Sequence, residues 1–390
     1  MKYTDLLNAV QSAAGLRLRL RLQPFYGQGE IVFPPTYAGG GYLISPRRIP
    51  GYPDAVPCAI LDSVQSQANR MEDALVADLR AGKLQLPHAE TDFSGVEDLS
   101  KPVGRLSSLE TPHRIFDAII RDSELAGVRF PYTDAGKAVV QASVKNATAL
   151  FQYDPTSLLF GSWDSTGVSG GLGEKFTRCV VSEVIAINAL EARRGAARVD
   201  PLNAARNASV IRDEKNKLEW ELASSDKQKG AVRPSEINHG NIPPTVSDFG
   251  GVSCDYIRQT SAISFPALRQ LRFPVAGKEG TDAKAHAVLA AVALHAAALN
   301  VEKGWHLRSR CDLVLEEGEA VTWELLGSEP KSATLRSDDT RKLLEEAIAA
   351  AKAAGLPWET EPLRLKPSKS LADLVRKSQQ LHRDSAETSD

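Results

Sequence analysis

From Leu16 to Leu22 the chain reads LRLRLRL, a strict alternation of leucine and arginine. Successive side chains of a strand point to opposite faces, so Leu16, Leu18, Leu20 and Leu22 share one face and Arg17, Arg19 and Arg21 the other. This is a strand with an apolar core face and a cationic face, preceded by a short opening helix. Arginines on the open face of a sheet either hold RNA or pair with acids across the sheet, and the segment leaves both possibilities standing.

The rest of the chain builds around that strand. Phe25 to Pro57 is rich in Gly, Pro and Tyr and predicts a long loop. In Ile60 to Leu75, Leu61, Val64, Ala68, Met71 and Leu75 recur at three- and four-residue spacing, which predicts an amphipathic helix opening near Asp62 or Ser63. Leu84 to Phe160 is mixed, with a helix expected from Thr111 and Pro112. Phe176 to Leu190 is rich in Val and Ile and reads as strand rather than helix. Arg193 to Asp255 is a charged insertion punctuated by proline, and Ile263 to Phe273 is again apolar. Asp282 to Gly304 predicts a helix closed by glycine. His306 to Leu315 and Ala320 to Leu326 predict strands joined by EEGE. Ser337 to Ala354 predicts another amphipathic helix, and the polar tail after Ser368 a loose end. The order strand, helix, strand, strand, helix, strand, with large insertions, fits an α+β fold with a ferredoxin-like or RRM-like core.

Composition narrows the function classes. The 390 residues are 42% hydrophobic, enough for a sizeable core. Net charge is −2, so this is not a globally basic nucleic-acid protein. Charge is unevenly placed, however. Tyr256 to Lys278 holds Arg258, Arg269, Arg272 and Lys278 without an acid, whereas Glu316 to Pro362 holds eleven acids against five bases. Such faces can bind RNA and meet a neighbouring copy, or can be solvated surfaces of opposite sign. Cys58, Cys179, Cys254 and Cys311 lack metal-ligand spacing, which argues against structural zinc or a disulfide scaffold and points to a reducing cytoplasm. The Ala-rich run Ala283 to Val301 carries Lys284, His286 and His295 and reads as a buried helix, not a membrane span. No cofactor is expected.

Three further segments carry chemistry. Phe160 to Arg178, FGSWDSTGVSGGLGEKFTR, joins a glycine-rich loop to Thr166, Ser169, Lys175 and Arg178. Exposed backbone N–H groups, hydroxyls and cations suit phosphate oxygens. The nucleotide-triphosphate pattern fails because Phe176 follows Lys175, and the dinucleotide fingerprint lacks its third glycine. The helix from Ser63 presents Ser63, Gln65, Ser66, Asn69 and Arg70, neutral amides and hydroxyls near a helix start that suit phosphate and sugar or serve as capping and a solvated face. Arg233 to Pro244, RPSEINHGNIPP, predicts a projecting hairpin in which Ile237 and Ile242 flank Asn238, His239 and Gly240. Its apolar knuckle inserts into a partner or packs on the chain's own core.

Taken in order, SVQSQANRMEDAL from Ser63, HRIFDAIIRDSEL from His113, LFGSWDSTGVSGGLGEKFTRCVVSEVIA from Leu159, RPSEINHGNIPP from Arg233 and YIRQTSAISFPALRQLRF from Tyr256 resemble the repeated backbone subunit of type I CRISPR surveillance complexes. That subunit belongs to the RAMP superfamily, and the variant resembled is that of type I-G systems, formerly I-U. The resemblance implies a guide-RNA (crRNA) binding protein that polymerises along the spacer RNA into a helical filament and helps present it to the target DNA strand. Implied partners are further copies of itself, other Cascade-like subunits and a separate helicase-nuclease, with no membrane. The implied architecture is an RRM-like palm from 1–83, 160–200 and 256–330, an inserted helical finger lobe at 84–159, a β-hairpin thumb at 201–255 and a helical extension at 331–390. The expected RNA contacts are Ser63, Gln65, Asn69, Arg70, Lys175 and Arg178, then Arg17, Arg19, Arg258 and Arg269. Ser66, Thr166, Ile237, Asn238 and His239 complete the set.

Catalysis is weighed against this. Some relatives in type III complexes cut target RNA with an aspartate near the first helix, and Asp62 stands close to such a position. A phosphodiester cut also wants a base, a cation or a metal, and an Asp before a Ser is more often a helix cap. His286 and His295 are nine apart and have no metal-motif spacing. A binding and assembly protein is therefore expected, with a single-strand endoribonuclease or a stand-alone nucleotide-binding protein as alternatives.

Overall fold

The computed structural model describes residues 1–39, 41–164, 173–202, 208–213, 216, 218–327 and 331–389. It is a mixed α+β structure built on a curled antiparallel sheet. The strands are β1 (Gly15–Pro24), β2 (Ile44–Arg47), β3 (Val56–Asp62), β4 (Val180–Ile187), β5 (Tyr256–Ser264), β6 (Trp305–Arg308), β7 (Cys311–Leu315), β8 (Trp323–Leu326) and β9 (Lys331–Ala333). Their order is β6-β7-β1-β5-β4-β3-β2, with β8 beside the first half of β1 and β9 beside β8.

The alternation in β1 sets the sheet's two sides. Leu16, Leu18, Leu20 and Leu22 are fully buried and lie opposite Ile263, Ser261, Gln259 and Ile257 of β5. Each buried leucine is worth roughly 1.5–3 kcal/mol relative to exposure, so a one-residue slip in register is excluded. Gly15 opens β1 because a Cβ there would lie 2.2 Å from the Ile263 carbonyl oxygen.

Four helices lie on the apolar side, α1 (Tyr3–Ser12), α2 (Val64–Arg80), α3 (Thr281–Glu302) and α4 (Ser337–Ala353), with α2 and α3 against the strands and α1 and α4 packed on α3. Alanine all round lets α3 pack against neighbours over its whole circumference, and 89% of its most apolar 18-residue window is buried. It is long and apolar enough to cross a membrane, yet here it is the core helix. His286 and His295 are both buried. His286 Nε2 bonds the Leu271 carbonyl at 2.9 Å, and His295 Nδ1 meets Thr340 Oγ1 at 3.0 Å.

Several expectations are corrected. The Phe25 to Pro57 stretch contains a small hairpin, Thr36–Tyr37 with Gly41–Tyr42, and the edge strand β2, which satisfies the backbone of β3. Part of it folds back, so that Ile49 packs with Cys58, Ile60, Ile185 and Ile187 in a small second core on the outer side of the sheet. No long helix starts at Thr111. Asp117 caps the four-residue helix Ala118–Arg121 instead, after a single 3-10 turn at Arg114–Phe116. The polar tail is a helix, α5 (Lys369–Ser389), opened by Ser368 Oγ accepting from the Leu371 N–H.

The chain divides into two compact units. The first comprises Met1–Gly95, Val103–Leu190 and Val252–Leu371 and holds the main sheet. Leu86, Leu109, Ile115, Phe151 and Leu158 of the 84–159 segment join the same apolar cluster as Leu16 and Leu18. The second comprises Val96–Pro102, Glu191–Gly251 and Ala372–Asp390. It contains the ribbon Arg194–Arg198 with Ile242–Ser247 and a three-stranded sheet of Val210–Arg212, Trp220–Leu222 and Ala231–Val232. Among its described residues only Val210 and Ala372 are buried hydrophobics, whereas Val199, Leu202, Leu218, Leu222 and Val246 are each more than 65% exposed.

Candidate nucleic-acid interface

The start of α2 divides its polar residues between structure and solvent. Ser63 is the N-cap, its Oγ accepting from the Ser66 N–H at 3.2 Å. Asp62 ends β3 and is 1% exposed. Its carboxylate accepts from Ser66 Oγ at 2.8 Å, Gln67 Nε2 at 2.6 Å and Arg70 Nε at 2.9 Å, and Arg308 lies at 3.5 Å. Arg70 also donates to the carbonyls of His306 and Leu307, at 3.3 and 2.7 Å. Ser66 and Arg70 thus tie α2 to β3, and Arg70 ties it also to β6. Gln67 turns inward, where its Oε1 accepts from Ser182, Gln259 and Asn300. Gln65 and Asn69, four apart and therefore on one helical stripe, are left facing outward.

Those two side chains line a groove of about 430 Å³ together with Asp73, Leu109, Glu110, Thr111, Pro112, Arg114 and Arg178. Arg178 reaches it because Gly161, at φ 83°, leaves room: a Cβ there would come within 3.0 Å of Arg178 Cγ. Burial, and then the charge of Arg114, hold the Arg178 pKa below the usual arginine value. Among the described residues no hydrogen bond or ion pair occupies Arg178, so a half-buried cation stands beside two exposed amides. Lys175 is exposed on the short hairpin Ser162–Trp163 with Lys175–Phe176, its ammonium 6.0 Å from the Trp163 ring centre. Thr166 lies outside the described residues, as does Ser169.

The outer side of the sheet carries the second cationic set. Arg17, Arg19 and Arg21 face Ala262, Thr260 and Arg258 across the β1–β5 ladder. The acidic segment folds back on two of them. Arg17 pairs with Glu324 at 2.6 Å, and Arg21 with Glu316 at 2.7 Å while its guanidinium sits 3.9 Å from the Tyr256 ring centre. The hydrogen bond to Glu316 pushes the Arg21 pKa up. Arg19 is exposed and has no such partner among the described residues. Arg258 Nε is buried without a hydrogen-bond partner among the described residues.

The remaining expected contacts are dispersed. Arg269 Nη1 donates to the carbonyls of Val10 and Ala13, at 2.8 and 2.9 Å, and so satisfies the end of α1. In the second unit, Ile237 is half-buried at the close of a 3-10 turn, with Asn238 left-handed at φ 61°. The His239 ring packs edge-on against Trp220, and Ile242 is 53% exposed at the start of the ribbon strand.

Sequence reasoning did not single out Arg114. It is 8% exposed, sits at φ 54°, and joins Glu72 of α2 to the Gly161 carbonyl at the root of the glycine-rich hairpin. A lone Arg in a non-periodic stretch gives no signal of such a role.

In a comparison with curated proteins, none matches this chain. Over residues 16–191, which carry β1, α2, Arg114 and Arg178, the chain matches the model of the family described as CRISPR-associated protein GSU0053 (Cas_GSU0053), and this similarity supports a CRISPR-associated protein.

Proposed function

We propose that this chain is a guide-RNA (crRNA) binding backbone subunit of a type I-G CRISPR effector complex, within the RAMP superfamily. The observation that carries the proposal is the groove at the start of α2. Gln65 and Asn69 of one helix and Arg178, more than a hundred residues away in sequence, line one groove, and among the described residues no acid is bound to Arg178. Neutral amides beside a cation with spare donors suit a sugar–phosphate backbone, whose contacts do not depend on base sequence. The similarity to a CRISPR-associated family makes guide RNA the ligand that fits that chemistry.

The main sheet supports an RRM-like palm. Taking β1, α2, β4, β5, α3 and β7 in chain order gives strand, helix, strand, strand, helix, strand, and the last strand, first, third and second lie side by side as β7-β1-β5-β4. The second unit, with few buried apolar side chains and several exposed ones among its described residues, suits a thumb that reaches guide RNA and an adjacent copy. Partners on this reading are further copies, other Cascade-like subunits, the target DNA strand and a separate helicase-nuclease, all in the cytoplasm. The chain itself is proposed to be a non-catalytic binder, since the Asp62 carboxylate is buried and occupied by four donors.

The test is a salt titration with labelled guide RNA, comparing the intact protein with a folded Arg19→Ala, Arg178→Ala double variant. Each lost phosphate contact on a single strand lowers the slope of log affinity against log salt by about 0.7. An unchanged slope and affinity would sink the assignment.

A further inference from the structure

Beyond the cationic row, the turn that follows β1 carries two aromatic side chains that neither the palm nor the groove uses. The outward phase of the strand runs Arg17, Arg19, Arg21 and Gln23, and Phe25 and Tyr26 follow in the turn after Pro24. Phe25 and Tyr26 are each 64% exposed, and their rings meet edge to face at 5.7 Å and 87°. The backbone beneath them is pinned. The Phe25 N–H donates to the Asp312 carbonyl at 2.8 Å, and the turn closes with Gly27 N–H on the Pro24 carbonyl at 3.0 Å. Two large aromatic rings held open to water by a hydrogen-bonded turn are unfavourable for the subunit alone. Their place directly after the strand that carries the arginines decides what meets them, because single-stranded nucleic acid is held by cations that track the phosphates and by aromatic faces on which bases stack.

We propose that Phe25 and Tyr26 form a base-stacking platform at the end of β1, taking a nucleobase of the strand whose phosphates lie along Arg19 and Arg258. This rests on the RNA-binding reading above and adds a contact of a different kind. The cations recognise charge, whereas the platform recognises the flat face of a base and is indifferent to which base it is. Tyr256 cannot share that role while its ring holds the Arg21 guanidinium at 3.9 Å.

Two probes separate the platform from the cations: a short uridine oligonucleotide, and an abasic ribose-phosphate oligonucleotide of the same length. The full-length Phe25→Ala, Tyr26→Ala variant is expected to bind the uridine probe about 5- to 150-fold more weakly, the range for losing one stacked base. Its affinity for the abasic probe and its salt slope should match the unsubstituted protein, and Phe25→Trp should retain tight binding to uridine. Unchanged binding of the uridine probe would overturn the platform and leave these rings to a protein neighbour. An equal loss on both probes would overturn it too. Either result leaves the RNA reading intact, since that fails only if the arginine variants keep their slope.

Discussion

Arg114 clasps Glu72 through two parallel hydrogen bonds of 2.6 and 2.8 Å, with both side chains more than 90% buried. Burial pushes the Glu72 pKa up to about 7, and the guanidinium offsets only part of that rise. The third nitrogen of Arg114 holds the Gly161 carbonyl at 2.8 Å, and its guanidinium lies 5.5 Å from the Phe160 ring centre. One buried ion pair thus joins α2 to the root of the hairpin from which Lys175 projects.

Removing the arginine should therefore be costly and pH-dependent. Because the folded pKa of Glu72 lies above its unfolded value, its contribution is fully present below about 4.5 and is lost as pH rises towards 7. Without Arg114 that loss continues above pH 7. Arg114→Ala should destabilise by about 3–5 kcal/mol at pH 8 and by less at pH 5.5, measured by urea unfolding. Equal penalties at the two pH values would show that the ion pair does not set the stability of this junction.

His295 gives a slope of the opposite sign. Burial between α3 and α4 holds its pKa down at about 4. A depressed value means stability present above the unfolded pKa near 6.5 and lost as pH falls through the folded value. Acidification from 6.5 to 4 should remove up to about 3 kcal/mol through this group. His295→Gln, less stable at pH 7, should unfold with a correspondingly flatter acid limb. Superimposable limbs in thermal melts would rule the histidine out.

Asp62 should be structural. Asp62→Ala leaves Gln67 and Arg70 without their acceptor and is expected to cost about 3 kcal/mol in chemical denaturation. The intact protein should leave guide and complementary RNA uncut with Mg²⁺ or Mn²⁺. Site-specific cleavage that vanishes in Asp62→Ala would establish a ribonuclease instead.

Much of this was legible in the chain. The Leu–Arg alternation of β1, the cap at Ser63, the strand β4 and the buried helix α3 follow from side-chain period and capping chemistry, which are local. Gln65, Asn69 and Arg178 are legible as polar or cationic groups in suitable segments, and they line one groove. Ser66, Arg70 and Arg269 read the same way in sequence, yet their donors are committed to Asp62, the β6 carbonyls and the end of α1.

By itself the sequence determined which residues alternate, cap and bury, because strand and helix periods act between neighbours a few positions apart. Only the tertiary structure decided which cations keep free donors. Arg17 and Arg21 are paired by Glu324 and Glu316, some three hundred residues away, while Arg19 between them has no such partner among the described residues. A charge becomes a site or a staple according to what the fold brings within about 3 Å of it, and sheet register across β7, β8, β1 and β5 sets that distance where no local pattern can.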